Sequence, residues 1–131
     1  VTPRLLLQTI GTDIVRTINP DIWVNSLFKD YDNIINRIKA KMRRKGFSIL
    51  PGLVFPNWII TDVRFPNEVN AIKKKEGIVI RINRESDYNS THFSETALDN
   101  YEDFDYTIDN NNCIDCLIEN VKEILKSKKI I

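Results

Sequence analysis

The run "IITDVRFPNEV", residues 59–69, limits what this chain can fold into more than any other stretch. With Trp58 it is apolar and mostly β-branched up to Asp62, with no polar alternation. That pattern predicts a strand over 58–63 covered on both faces. The strand ends on Asp62, and Arg64 stands two positions later. Pro66 stands where the first turn of a helix tolerates it, so a helix is expected over 66–76, ending at Gly77. A second strand is expected over 78–82. Such a β-α-β unit calls for parallel pairing of its two strands. The fold class expected is therefore α/β, with a small, mainly parallel sheet.

The flanking segments read as helices and one more strand. Over 4–16, Leu6, Leu7, Ile10 and Ile14 share one helical face, and Arg4, Gln8, Gly11 and Val15 share the other. Gly11 could instead mark a break, with Thr12 capping the next helical turn. Asn19-Pro20-Asp21 is a turn signal, and Asp21 is a candidate N-cap. A long helix is expected over 21–45, stopped by a cluster of Lys and Arg and then Gly46. Residues 47–57 read as a loop or short strand, and 83–93 as a polar loop. Ser94 is a candidate cap for a short helix, a third strand is expected over 106–108, and a last helix over 113–127. With no repeat, low-complexity tract or linker, residues 1–131 read as a single domain.

Composition narrows the class. The 131 residues carry a net charge of +1, with 42% hydrophobic and 28% charged residues, as in an ordinary globular protein. No apolar run approaches the ~18 residues of a membrane span. The N-terminal apolar stretch is too short for a signal peptide, so a cytoplasmic location is expected. The basic run 37–45 has no interleaved aromatics and reads as a solvated helix end, not a nucleic-acid surface. Cys113 and Cys116 form a C-x-x-C. With His92 the only histidine, a four-ligand zinc site is not expected. A thioredoxin-like pair is conceivable, but the apolar period through Leu117, Val121 and Leu125 favours reduced, partly buried core thiols.

Several residues could carry chemistry. In open α/β sheets ligands gather at the carboxyl ends of strands, and Asp62 is expected at such an end. It could hold Mg²⁺ through water or act as a base. Arg64 suits bidentate capture of a phosphate or carboxylate. The plainer account is that the two pair, or that Asp62 caps the coming helix. Arg4, Gln8 and Gly11 share a face that would suit a nucleotide, or form a solvent stripe. Arg16 and Trp23 flank the next turn. Arg81 and Arg84 straddle the end of the second strand, where they could neutralise charge in phosphoryl transfer or stand as surface charge. His92 could serve as acid or base, or be a hydrogen-bonded structural residue.

Three segments in this order, "LLQTIGTDIVRTINPDIW", "WIITDVRFPNEVNAIKKKEGIVIRINR" and "HFSETALDN", resemble the deoxynucleoside monophosphate kinases of bacteriophages. The resemblance covers nearly the whole chain. It implies a P-loop NTPase-like three-layer fold and transfer of the γ-phosphoryl group of ATP to a deoxynucleoside monophosphate, with Mg²⁺. By that resemblance Arg4, Gln8, Gly11 and Arg16 fall in the part that receives the monophosphate, with Trp23, Asn67 and Glu68 on the substrate side. Asp62, Arg64 and Arg84 are the catalytic candidates. Arg81, His92, Ser94 and Glu95 resemble the lid and donor side. No protein residues are assigned as metal ligands, and a homodimer is compatible with the reading.

The departure from the family is the phosphate loop. G-x-x-x-x-G-K-[ST] cradles phosphates with backbone N–H groups, and no such run occurs here. The expectation is the C-terminal portion of such a kinase, or a relative without the loop, lacking the P-loop strand as well. Such a chain is expected to bind ATP poorly and turn over little. The competing readings are a non-catalytic nucleotide-binding or protein-interaction module, and a nucleic-acid binder resting on 37–45.

Overall fold

The computed structural model describes residues 2–46, 55–85 and 92–131. Of the segments expected as loops over 47–57 and 83–93, residues 47–54 and 86–91 lie outside the described residues. The chain divides into two compact units, Val1–Val63 and Arg64–Ile131.

The first unit is helical. Helix α1 (Pro3–Gln8) opens with Pro at its first position, and the Thr2 hydroxyl accepts from the Leu5 N–H at 3.2 Å. It runs into a π-helical segment, Thr9–Ile14, and then into α2 (Val15–Ile18). Gly11 therefore marks a widened turn, not a break, and Thr12 lies inside that segment rather than at a cap. A Cβ at Gly11 would meet nothing within 4 Å, so no close approach requires glycine there. Asn19 closes the next turn by accepting from the Asp21 N–H at 3.0 Å. Asp21 takes the N-cap position of α3 (Ile22–Arg44) without a side-chain cap bond. The helix ends in Lys41, Arg43 and Arg44, and Gly46 takes φ +75°, the left-handed conformation that ends helices at little cost. The face of Leu6, Leu7, Ile10 and Ile14 is exposed.

The strand expected over 58–63 does not form. Ile59 is 90% exposed, so this stretch is not a buried strand. The physical reason is that a strand exists only through a neighbour's hydrogen bonds, and among the described residues no strand pairs with it. Trp58 instead meets Tyr31 of α3 edge-on, with ring centroids 5.1 Å apart. Phe55 lies under the Lys39 ammonium, 5.4 Å from its centroid.

The second unit mixes helix and sheet. Helix α4 (Pro66–Lys74) leads to β1 (Ile80–Asn83), then α5 (Phe93–Thr96), β2 (Tyr106–Asp109) and α6 (Ile114–Ser127). Strands β1 and β2 pair in parallel, Ile80 opposite Tyr106 and Asn83 opposite Asp109. The parallel pairing expected between 58–63 and 78–82 is thus made by a different partner. The Asp105 carboxylate secures the start of the pair, accepting from the Val79 N–H at 2.7 Å. Phe65, Val69, Val79 and Ile108 are buried, Val69 completely.

Helix α4 ends in a Schellman turn. The Gly77 N–H reaches the Ile72 carbonyl at 3.0 Å, and the Glu76 N–H reaches Lys73 at 2.9 Å. The left-handed residue here is Glu76, φ 61°, not Gly77. Gly77 is needed for another reason: a Cβ there would come within 2.6 Å of Ile72 Cγ2 and 3.1 Å of its carbonyl oxygen. The Lys73 ammonium ties the end of α4 to Asp103, 2.9 Å from its carboxylate. That hydrogen bond raises the lysine above its ordinary range. Among the described residues no helix is long and apolar enough to cross a membrane.

Candidate functional site

The cluster around Arg64 begins with a helix start. Pro66 at the first position of α4 has no N–H to satisfy, and Glu68 stands at the third. The Glu68 carboxylate turns back and accepts from the Arg64 N–H at 2.8 Å and the Phe65 N–H at 3.2 Å. This is the carboxylate half of a capping box, and the negative charge lies at the favourable end of the helix dipole. It fixes the backbone that carries Arg64. Phe65, buried beneath, packs its ring against Phe93 at 5.6 Å between centroids.

A second helix start faces the same side chain. The His92 ring caps α5, its Nδ1 accepting from the Ser94 N–H at 3.2 Å. The Ser94 hydroxyl lies 2.8 Å from the same nitrogen. Nδ1 therefore presents its lone pair, and in the neutral ring the proton sits on Nε2. The cap is His92, not Ser94 as expected; Ser94 lies within the helix and is buried. From this short helix Glu95 reaches Arg64, with Oε1 2.8 Å from Nη1. The two side chains are 40% and 26% exposed, so the pair contributes only about 0–1 kcal/mol to stability. Its consequence is orientation. A planar guanidinium oriented by an ion pair at Nη1, with part of its surface open to solvent, is set up to meet a phosphate or carboxylate.

The remaining candidates are spread over both units. Arg81, inside β1, donates from Nε to Asn83 at 2.8 Å and from Nη1 to the Leu98 carbonyl at 2.8 Å. Its guanidinium also lies 5.3 Å from the Phe104 centroid. Arg84, just beyond β1, is exposed, and Asn67 is partly buried at the start of α4. In the first unit the Trp23 indole N–H donates to the Gly11 carbonyl at 2.9 Å, an acceptor inside the π-helical segment. Arg4 and Asp62 are exposed, and Gln8, Gly11 and Arg16 partly so. Within the second unit the structure joins Arg64, Glu68 and Glu95 by direct bonds and His92 to Ser94.

Sequence reasoning does not assign Glu68 its capping role, although a Pro with Glu two residues later signals one. The Arg64–Glu95 pair, 31 residues apart, has no signal in a single sequence. The thiols of Cys113 and Cys116 are exposed, correcting the expectation of core burial. Cys113 is the N-cap of α6, so the apolar period begins beyond it and gives it no core position.

Comparison with known proteins fixes the family. Residues 1–121 match the deoxynucleotide monophosphate kinase family, and the chain belongs to it. A curated protein of Acanthamoeba polyphaga mimivirus, named "Putative deoxynucleotide monophosphate kinase", is 32% identical over 121 residues. The match covers 87% of this chain and spans about 56% of the length of that relative. No solved structure matches the chain.

Proposed function

We propose that this chain serves phosphoryl transfer from ATP to a deoxynucleoside monophosphate, giving the diphosphate, within a P-loop NTPase-like three-layer fold. The observation that carries the reading is the oriented guanidinium of Arg64 in a chain of this family. In this reading Arg64 takes the phosphate of the monophosphate, with Glu95 and Glu68 positioning it. Arg84 adds positive charge where charge develops on the transferred group. Arg4, Gln8, Gly11 and Arg16 belong to the part that receives the monophosphate, on family likeness.

Mg²⁺ would neutralise phosphate charge. Among the described residues no three or more His, Cys, Asp or Glu converge on a metal position. Such an ion would be held by water and nucleotide phosphates, with Asp62 reaching it through water. ATP fits less well. The given residues contain no G-x-x-x-x-G-K-[ST] loop to cradle its phosphates. What these residues do is bind the acceptor and neutralise its charge.

Calorimetric titration of each deoxynucleoside monophosphate into wild type and Arg64→Ala tests the reading. Removing a charge-assisted contact should weaken binding by about 10–100-fold. Unchanged affinity would remove Arg64 from the site.

A further inference from the structure

The kinase reading leaves one reactive cluster unused. Cys113 caps α6, a helix of 14 residues, and Cys116 sits one turn on. Their Sγ atoms lie 2.7 Å apart without a bond between them, and both thiols are exposed. The Cys116 N–H donates to Cys113 Sγ at 3.4 Å. The two sulfurs are therefore unlike. Cys113 faces the positive end of a helix dipole and accepts a backbone N–H, both of which favour thiolate. The hydrogen bond from the Cys116 thiol pulls Cys113 below the ordinary thiol range, helped by the backbone N–H groups of Cys116 and Asp115. The same bond pushes Cys116 upward. A metal is a poorer occupant, since no third His, Cys, Asp or Glu joins the pair among the described residues.

We propose that Cys113 and Cys116 are a redox-active dithiol that exchanges with low-molecular-weight disulfides of the glutathione class, Cys113 attacking and Cys116 resolving. The Cys113 thiolate attacks one sulfur of the small disulfide. That S–S bond breaks, and the leaving thiolate takes a proton from water, which leaves a mixed disulfide on Cys113. Cys116 then gives its proton to solvent and its thiolate attacks Cys113 Sγ; the mixed disulfide bond breaks, and the second small thiolate leaves and takes a proton from water. In sum, two protein thiols are oxidised to a disulfide and one small disulfide is reduced to two thiols. The sulfurs need only close from 2.7 Å to a bond of ~2.05 Å. The closeness of Cys116 favours ring closure over a lasting mixed disulfide.

Mass spectrometry of the full chain after incubation with glutathione disulfide tests this. Wild type should lose about 2 Da and hold no lasting adduct. Cys116→Ser should accumulate one glutathione adduct, on Cys113. Cys113→Ser should react at least about 10-fold more slowly, and serine at an N-cap keeps the helix start intact. A wild-type chain that stays reduced or retains the adduct overturns the proposal, and so do equal rates for the two single variants.

Discussion

Val24 is the one buried side chain among the described residues of the first unit, whereas Phe65, Val69, Val79, Ser94 and Ile108 are buried in the second. Both units hold well-patterned helices, so patterning alone does not account for the difference. The second unit has two strands that give each other hydrogen bonds, and two of its buried side chains, Val79 and Ile108, lie beside or within that pair. In the first, α1, α2 and α3 satisfy their own backbones and leave apolar side chains such as Leu7 and Ile18 in the open. A helix can exist without cover; a strand cannot exist without a partner.

The contrast can be broken most directly at its extremes. Val69→Ala, at a fully buried position, should lower stability by about 2–3 kcal/mol, the transfer loss plus a small cavity. Leu7→Ala, at a position 73% exposed, should change it by less than about 0.5 kcal/mol. Urea denaturation of both variants decides, and equal losses would erase the distinction between the units.

A finer comparison uses the helix ends. Gly46 in the first unit and Glu76 in the second both hold positive φ. Gly46→Ala should destabilise by about 1 kcal/mol, and Glu76→Gly should stabilise by up to about 1 kcal/mol. Thermal melts showing the same sign for both would mean that the conformation at these turns is not what limits them.

The smallest effect is expected at Lys73. Its pKa is raised in the folded state, so its contribution is complete below the ordinary lysine range and is lost as pH rises through the shifted value. Lys73→Gln should therefore narrow its deficit against wild type at strongly alkaline pH. A deficit that does not change with pH would assign the residue to packing alone.

Much of the local structure is readable from residue order. The helix expected over 21–45 occupies Ile22–Arg44, the one over 66–76 occupies Pro66–Lys74, and the one over 113–127 occupies Ile114–Ser127. The strands expected over 78–82 and 106–108 fall at Ile80–Asn83 and Tyr106–Asp109. These come from periodicity, from Pro66 at a helix start and from Gly46 past a helix end, signals that act within a turn or two. The run 58–63 has the composition of a strand, yet composition cannot supply the neighbour a strand needs. Of the candidate site, the residue types at Arg64 and Glu95 can be named from the sequence, but not that the two meet. The cap on α5 falls two residues before Ser94 because a histidine ring can accept from a backbone N–H as a serine hydroxyl can.

The order of residues by itself determined where helices start and stop and which side chains carry charge to the helix ends. Those outcomes depend on backbone bonds and side chains four residues apart or less. Only the tertiary structure decided that β1 pairs with β2, that Arg64 is held by Glu95, and that Cys113 and Cys116 stand exposed at a helix start. Each of these depends on which distant segments come to lie side by side, or leave a surface open. Segments tens of residues apart compete for the same partners, and no local pattern records which of them wins.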